Sequence, residues 1–376
     1  MTKYKQSESF CISEGVLSLA RIKVAVVFGG RSNEHDISLI SASHIIASIP
    51  KDKYDIVMVG ITKKGHWFRF MGDPEMIKDG SWESYPDNLP CVISPDPIHK
   101  GIITFSGDDV SKVRIDVVFP VIHGKNGEDG TLQGLLDLAE IPYVGCDLIS
   151  SACCMDKSVT HTILEQHGIK MAKWVKVLLC DSARLDEKCA ECEEKLSYPM
   201  YVKPANCGSS VGISKVRDLE ELKAGIKLAF AHDRIVVVEE EVIGRECECA
   251  VMGNTEPFAS AVGEIAAANE FYDFDAKYNN AESKTYIPAN IPEESSELIR
   301  QTAVKAYKAI GCCGLSRVDF FLTEKGEVIL NEINTMPGHT PISMYPKLME
   351  HAGISFAEQE DRLIKLALDR AGVDYE

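Results

Sequence analysis

Near the C-terminal end of the chain, two carboxylates and an amide oxygen fall within a short stretch. Asp319 closes Ser316-Arg317-Val318-Asp319, and Glu332 and Asn334 open Glu332-Ile333-Asn334-Thr335-Met336-Pro337-Gly338. Glu332 and Asn334 are two apart, so in a strand they share a face. Hard oxygen donors with no His or Cys among them suit Mg2+ bridging nucleotide phosphates. Upstream, Lys203-Pro204-Ala205-Asn206-Cys207-Gly208-Ser209-Ser210-Val211-Gly212 sets a lysine before a Gly/Ser loop. Its ammonium can meet a phosphate's charge while N–H and hydroxyl groups fold over it. The block lacks the GxxxxGK[ST] spacing, which disfavours a P-loop NTPase.

Two further blocks lie towards the N-terminus. In Phe28-Gly29-Gly30-Arg31-Ser32-Asn33-Glu34-His35-Asp36-Ile37-Ser38, paired glycines follow an apolar run. They let the backbone turn tightly and approach a ligand, and Ser38 is placed to cap the next helix. Glu34, His35 and Asp36 fall at the carboxyl end of a strand, where α/β proteins bind ligands. In His123-Gly124-Lys125-Asn126-Gly127-Glu128-Asp129-Gly130-Thr131, three glycines and mixed charges describe an exposed loop. His123 reads equally as a ligand-facing or a satisfied structural histidine. Each of these blocks taken singly also reads as an ordinary turn or surface loop.

The elements that must position these residues fall into three regions. From 22 to 150 the pattern is α/β: strands at 22–28, 56–61, 117–121 and 143–145, with helices at 38–49 and 132–139. Strand–helix–strand at this spacing predicts right-handed crossovers in a doubly wound sheet. Region 151–243 opens with a helix at 157–167 and ends in a strand at 235–239. Region 244–376 alternates strands, including 318–322 and 328–332, with helices at 294–310 and 356–371. Residues 1–21 are mixed and polar and read as an extension with no signal-peptide pattern.

Composition narrows the classes. The chain has 376 residues, 45% hydrophobic and 26% charged, which predicts a soluble protein of two or three lobes. A formal net charge of −17 argues against a nucleic-acid partner. No apolar run is long enough to span a bilayer. The odd count of 13 cysteines predicts reduced thiols in a cytoplasm. Cys189-Ala190-Glu191-Cys192 is a lone CxxC in a charged stretch that reads as an exposed helix, without the second ligand pair a zinc site needs. Cys153, Cys154, Cys247, Cys249, Cys312 and Cys313 read as small core-filling residues next to structural elements.

In this order, the four blocks resemble the D-alanine–D-alanine ligase family and the related vancomycin-resistance ligases. Met155-Asp156-Lys157, Val238-Glu239-Glu240-Glu241 and Phe271-Tyr272-Asp273-Phe274-Asp275-Ala276-Lys277-Tyr278 extend the resemblance, which runs from 22 to about 368. It implies a two-lobed ATP-grasp fold behind an N-terminal α/β domain, with a mobile lid around 271–290. Lys157, Lys203 and Lys277 would contact the ATP phosphates. Glu239 and Val242 would lie near the adenine, and Glu246 near the ribose. Asp319, Glu332 and Asn334 would hold two Mg2+ ions, with Mn2+ a workable substitute. Glu34, helped by His123, would bind the first D-alanine. Arg317 and the Gly338 N–H would stabilise the acyl phosphate and the tetrahedral intermediate, and Glu34, Ser209 and Tyr278 would form the triad that closes the lid.

Ser343 and Met344 would border the second amino acid, where the apolar Met344 favours the methyl group of D-alanine. The implied product is D-alanyl-D-alanine for peptidoglycan, made by a cytoplasmic homodimer with no membrane or nucleic-acid partner. Two alternatives are carried. A D-alanine–D-serine ligase of the vancomycin-resistance type is favoured by the stretches 123–134 and 154–160, and a non-catalytic nucleotide-binding regulator would share the fold. Cys207, His339 and Pro341 depart from the common pattern, while Thr340 and Ser343 are kept.

Overall fold

The structure, a computed structural model, describes residues 21–208, 211–266 and 284–375. Strand β1 (Ile22–Gly29) is followed by α1 (His35–Ser48), β2 (Tyr54–Ile61), β3 (Trp67–Phe70), α2 (Glu75–Lys78), β4 (Leu89–Ile93), β5 (Gly101–Ser106), β6 (Asp109–Arg114), β7 (Val117–Val121) and α3 (Thr131–Leu138). These strands form one sheet in the order β6-β5-β4-β3-β2-β1-β7. β1 lies at its heart, parallel to both β2 and β7. Val24 to Phe28 are wholly buried, as an apolar run between two parallel neighbours requires.

The doubly wound expectation therefore holds for β2-β1-β7, but the sheet continues through β3 to β6 by antiparallel pairing. Those strands are short and mixed in polarity. β6 is almost entirely exposed, so it carried no strong apolar period. The expected strand at 143–145 is a single bridge from Tyr143 to Val118. Ser38 does not cap α1, which starts three residues earlier with Glu34 at the N-cap and no side-chain cap. Its hydroxyl instead accepts from the Gly29 N–H at 2.7 Å and donates to the Val121 carbonyl, tying the helix to two strands.

Helices α4 (Leu148–Met155) and α5 (Lys157–Gln166) lead into a second sheet of β8 (Trp174–Leu178), β9 (Met200–Pro204), β10 (Ser214–Val216) and β11 (Ile235–Glu240), with α6 (Leu185–Lys195) and α7 (Leu219–Ala229) between its strands. Its order is β10-β9-β11-β8, antiparallel throughout. It has a core of its own, including Val175, Met200, Val202, Leu222, Ile226 and Val236. Cys189 and Cys192 belong to that core and are completely buried, so the charged stretch forms a helix but turns its thiols inward. Burial pushes the Cys192 thiol up to about 12.

The third sheet comprises β12 (Arg245–Met252), β13 (Phe258–Ala266), β14 (Lys284–Tyr286), β15 (Leu315–Leu322) and β16 (Val328–Asn334), ordered β14-β13-β12-β15-β16. It is antiparallel. Helix α8 (Glu293–Ile310) covers one face, and α9 (Met344–His351) and α10 (Phe356–Arg370) follow. Phe28 and Ile45 of the first region share one continuous core with Ala250, Leu315, Leu348 and Ile364 of the third. Leu164 and Ile169 pack with the third sheet rather than with the second.

Candidate active site

A cleft of about 330 Å3 opens between the second and third sheets. Period-2 alternation builds both walls. On β9, Met200 and Val202 enter the lobe's core while Tyr201 and Lys203 line the cleft. On β12, Cys247 and Cys249 enter the core of the third sheet while Glu246 and Glu248 line the cleft. On β15, Val318, Phe320 and Leu322 go inward and Asp319 lines the cleft.

Lys157, Lys203, Glu239, Val242, Glu246, Asp319 and Glu332 all line this one cleft. Lys157 sits at the first position of α5, whose N-cap Asp156 accepts from the N–H groups of Ser158 and Val159. Its ammonium donates to the Cys207 carbonyl at 2.8 Å, holding the loop that continues to Gly208. Glu239 accepts from the Lys203 ammonium at 2.6 Å and lies 3.0 Å from His161 Nε2. Burial alone would raise the Glu239 carboxyl. The Lys203 ammonium and the His161 ring outweigh that effect and hold it well below the ordinary carboxylate range.

Across the third sheet, Glu248, Asp319 and Glu332 are successive cross-strand partners, so three carboxylates form one row over β12, β15 and β16. Arg317 binds Asp319 with two hydrogen bonds of 2.7 Å and approaches Glu248 at 3.1 Å. The Asn334 amide donates to Asp319 at 3.0 Å. Among the described residues no cage of three or more His, Cys, Asp or Glu side chains converges on a point. Asp319, Glu332 and the Asn334 amide nevertheless fit a hard divalent cation that takes its remaining oxygens from phosphate and water.

A second group lies at the end of the cleft. Glu34 reaches over from the first region, and its Oε2 stands where a Cβ on Gly124 (2.5 Å) or on Gly208 (3.5 Å) would meet it. Gly124 has φ +71, so glycine there serves both the turn and the carboxylate. His123 is buried, with Nε2 3.0 Å from Ser41 Oγ and Nδ1 3.0 Å from the Met336 carbonyl. Burial would lower its pKa, but Glu128 and Glu34 raise it. The contact with Met336 ties the first region to the loop carrying Gly338. A Cβ on Gly338 would come within 2.9 Å of Ser343 Oγ, which bonds Thr340 Oγ1 at 2.8 Å. Met344 is buried, its sulfur turned towards Gly263 of β13.

Ser209, Lys277 and Tyr278, with most of the lid, fall outside the described residues. The sequence reading missed His161, whose ring stacks on Trp174 at 4.8 Å while it holds Glu239. It also missed Glu248, although the alternating Glu246-Cys247-Glu248-Cys249 was the signal that both acids share a face. Ser41, which holds His123, carried no signal because the two are distant in sequence, whereas Glu128 lies in the same loop block as His123 and was given no role there.

A cleft between two antiparallel lobes, lined by lysines on one wall and acids on the other and joined by an N-terminal α/β region, defines an ATP-grasp ligase. Sequence comparison gives the family. The chain matches "D-ala D-ala ligase N-terminus" over residues 23–146 and "D-ala D-ala ligase C-terminus" over residues 163–365. It belongs to the D-alanine–D-alanine ligase family. It is 48% identical to the D-alanine–D-alanine ligase of Thermoanaerobacter pseudethanolicus, covering 92% of this chain and 96% of that one. With the ligase of Acetivibrio thermocellus it shares 49% identity over 93% of this chain and 96% of the relative. Among solved structures, the VanG D-Ala:D-Ser ligase from Enterococcus faecalis superposes with a TM-score of 0.85 at 44% identity, covering 92% of this chain and 99% of that one. The D-alanine–D-alanine ligase from Coxiella burnetii gives 0.81 at 34% identity, covering 94% and 95%.

Proposed function

We propose that the chain joins two D-alanines with cleavage of ATP to ADP and phosphate, making D-alanyl-D-alanine for peptidoglycan. The observation that carries this reading is the meeting of Glu34 with Gly208 at the end of the cleft, which sets an ammonium-binding carboxylate beside the phosphate-handling loop. Residues 22–150 would serve as the amino-acid domain, 151–243 as the small ATP lobe and 244–376 as the large lobe and lid.

In this reading Lys157, Lys203 and Lys277 neutralise the phosphates, Glu239 and Val242 border the adenine, and Glu246 holds the ribose. Asp319, Glu332 and Asn334 would hold Mg2+, two ions in number or Mn2+ in their place, which supplies positive charge to the transferring phosphoryl group when bound. The carboxylate of the first D-alanine, its ammonium on Glu34 near His123, attacks the γ-phosphorus and ADP leaves, giving an acyl phosphate. The neutral amine of the second D-alanine then attacks the acyl carbon, and phosphate departs. Arg317 and the Gly338 N–H face the oxyanion. Glu34, Ser209 and Tyr278 would close the lid and exclude water. Ser343 and the apolar Met344 would border the methyl group of the acceptor. The assembly is a cytoplasmic homodimer. Among the described residues, no helix is long and apolar enough to cross a membrane.

The likeness to VanG supports a second reading, with D-serine as acceptor. Either ligase releases one phosphate per dipeptide, whereas a nucleotide-binding regulator would release none. Phosphate and dipeptide counted together with ATP and D-alanine should rise in a ratio of one to one. Binding of ATP without D-alanine-dependent phosphate release would contradict catalysis.

A further inference from the structure

Beneath the loop that follows Gly338 lies a cluster of buried polar groups that the reaction above does not use. His339, Tyr345 and Glu360 come from the loop, α9 and α10, and all are essentially inaccessible to solvent. His339 Nε2, the Tyr345 hydroxyl and both Glu360 carboxyl oxygens have no hydrogen-bond partner. Yet the groups are neighbours. His339 Nε2 is 3.8 Å from Glu360 Oε1, and the His339 and Tyr345 rings are 5.2 Å apart. Orphaned polar atoms are rare in protein interiors, and a group of them facing one another is a network awaiting its protons or a water.

The protons can be assigned. His339 Nδ1 faces the Pro337 carbonyl at 3.4 Å, so its hydrogen belongs there and Nε2 keeps a lone pair. Nε2 then needs a donor, and the Tyr345 hydroxyl needs an acceptor. A protonated Glu360 would meet both needs, one oxygen donating towards His339 and the other accepting from Tyr345, whose hydroxyl feels the Glu360 charge. An ionised Glu360 would leave Nε2 without a donor. The 3.8 Å gap is closed by a bridging water or a small side-chain shift. Burial acts in the same direction, holding the Glu360 carboxyl well above the ordinary range and the His339 ring down at about 4. Burial and Glu360 likewise hold the Tyr345 hydroxyl well above its usual value. Among the described residues no cation compensates from nearby. Asp361 turns to Lys53, Tyr54 and Lys365, Phe356 sets its edge against the His339 ring, and the titratable neighbour of His339 from the first region, His123, disfavours a second charge.

His339 is bonded directly to Gly338, and its own N–H points at Ser41 Oγ, which also holds His123. We propose that a protonated Glu360, together with Tyr345, clamps the His339 ring and so positions the Gly338 N–H and Ser343 for the acceptor D-amino acid. This rests on the reading that places the acceptor at the Gly338–Ser343 loop. Glu360 is a positioning residue that acts through His339.

The test is steady-state dipeptide synthesis over a D-alanine range that resolves donor and acceptor KM, for wild type, E360Q, E360L and H339F/E360L. The amide of E360Q can donate to His339 and accept from Tyr345, so its acceptor KM should stay within about twofold of wild type. E360L should raise acceptor KM and lower kcat, a loss of about tenfold or more in acceptor kcat/KM, with ATP KM little changed. H339F/E360L, an apolar pair in the same space, should restore it. A measurement independent of catalysis is melting temperature against pH. A carboxyl with a raised folded pKa stabilises below its unfolded pKa and loses that contribution as pH rises. The Tm of E360Q minus that of wild type should therefore grow from pH 5 to pH 8. An unchanged acceptor KM in E360L, an E360Q as impaired as E360L, or a pH-independent Tm difference would each overturn the inference. Should E360L not fold, E360Q and the Tm series still decide. Failure of the wild type to make dipeptide would overturn the functional reading itself, and the inference with it.

Discussion

Glu239 and Glu332 show two ways a carboxylate is kept useful in a cleft. Glu239 is buried, yet the Lys203 ammonium and the His161 ring keep it charged. Because its folded pKa lies below the unfolded value, the stability it adds is present above the ordinary carboxylate range and lost as pH falls through the folded value. Wild type should thus melt above E239Q at pH 7, with the gap narrowing towards pH 3. A constant gap across that range would contradict the ion pair. Glu332 stands in the row with Asp319 and Glu248. Replacing it with Gln keeps the shape and removes a charge, so kcat should drop by about 10²-fold or more while the melting temperature changes little. Activity within a few-fold of wild type at saturating Mg2+ would remove Glu332 from the metal set. The polar row was legible because Asp319, Glu332 and Asn334 are unusual on otherwise apolar strands. His161 was not, because a histidine in a helix gains meaning only once β11 lies against it.

At the scale of elements, Ser38 carries the clearest lesson. Sequence placed it at a helix start, where its type is common. The structure uses the same hydroxyl inside α1 to satisfy the Gly29 N–H and the Val121 carbonyl. Those two groups sit at the carboxyl ends of β1 and β7, just before the turns that carry Glu34 and His123. S38A should therefore cost about 1–3 kcal/mol in urea unfolding, the range for orphaning a buried polar group. A loss below the precision of the titration would show that water replaces the hydroxyl. Buried strands and amphipathic helices such as β1 and α8 were legible from their period. β3 to β6 were not, since short edge strands that alternate weakly look like loops until their partners are known. The thiols of α6 were misread for a related reason, because a charged helix hides the one stripe that faces its core.

At the scale of the whole molecule, the first and third regions share a core while the second sheet keeps its own. The Glu34 carboxylate and the Gly338 loop are thereby locked into one body, tied by the contact of His123 with Met336. Lys203 and Glu239 ride on a lobe with a separate core, which leaves it free to move without disturbing that body. Four ordered blocks sufficed to read this plan from sequence, because each needs a residue type that plain packing would not select. The choice of acceptor was less legible. Met344 is part of the shared core as well as a neighbour of Ser343, so packing by itself already calls for an apolar residue there.

The central claim is that this cleft joins D-alanine to D-alanine. Its most direct measurement is identification of the products formed with ATP, D-alanine as donor and equimolar D-alanine, D-serine and D-lactate as acceptors. D-alanyl-D-alanine should be the main product, with phosphate released in equal amount. A main product ending in D-serine would contradict it in favour of the VanG-like reading, and ATP turnover without any dipeptide would contradict both.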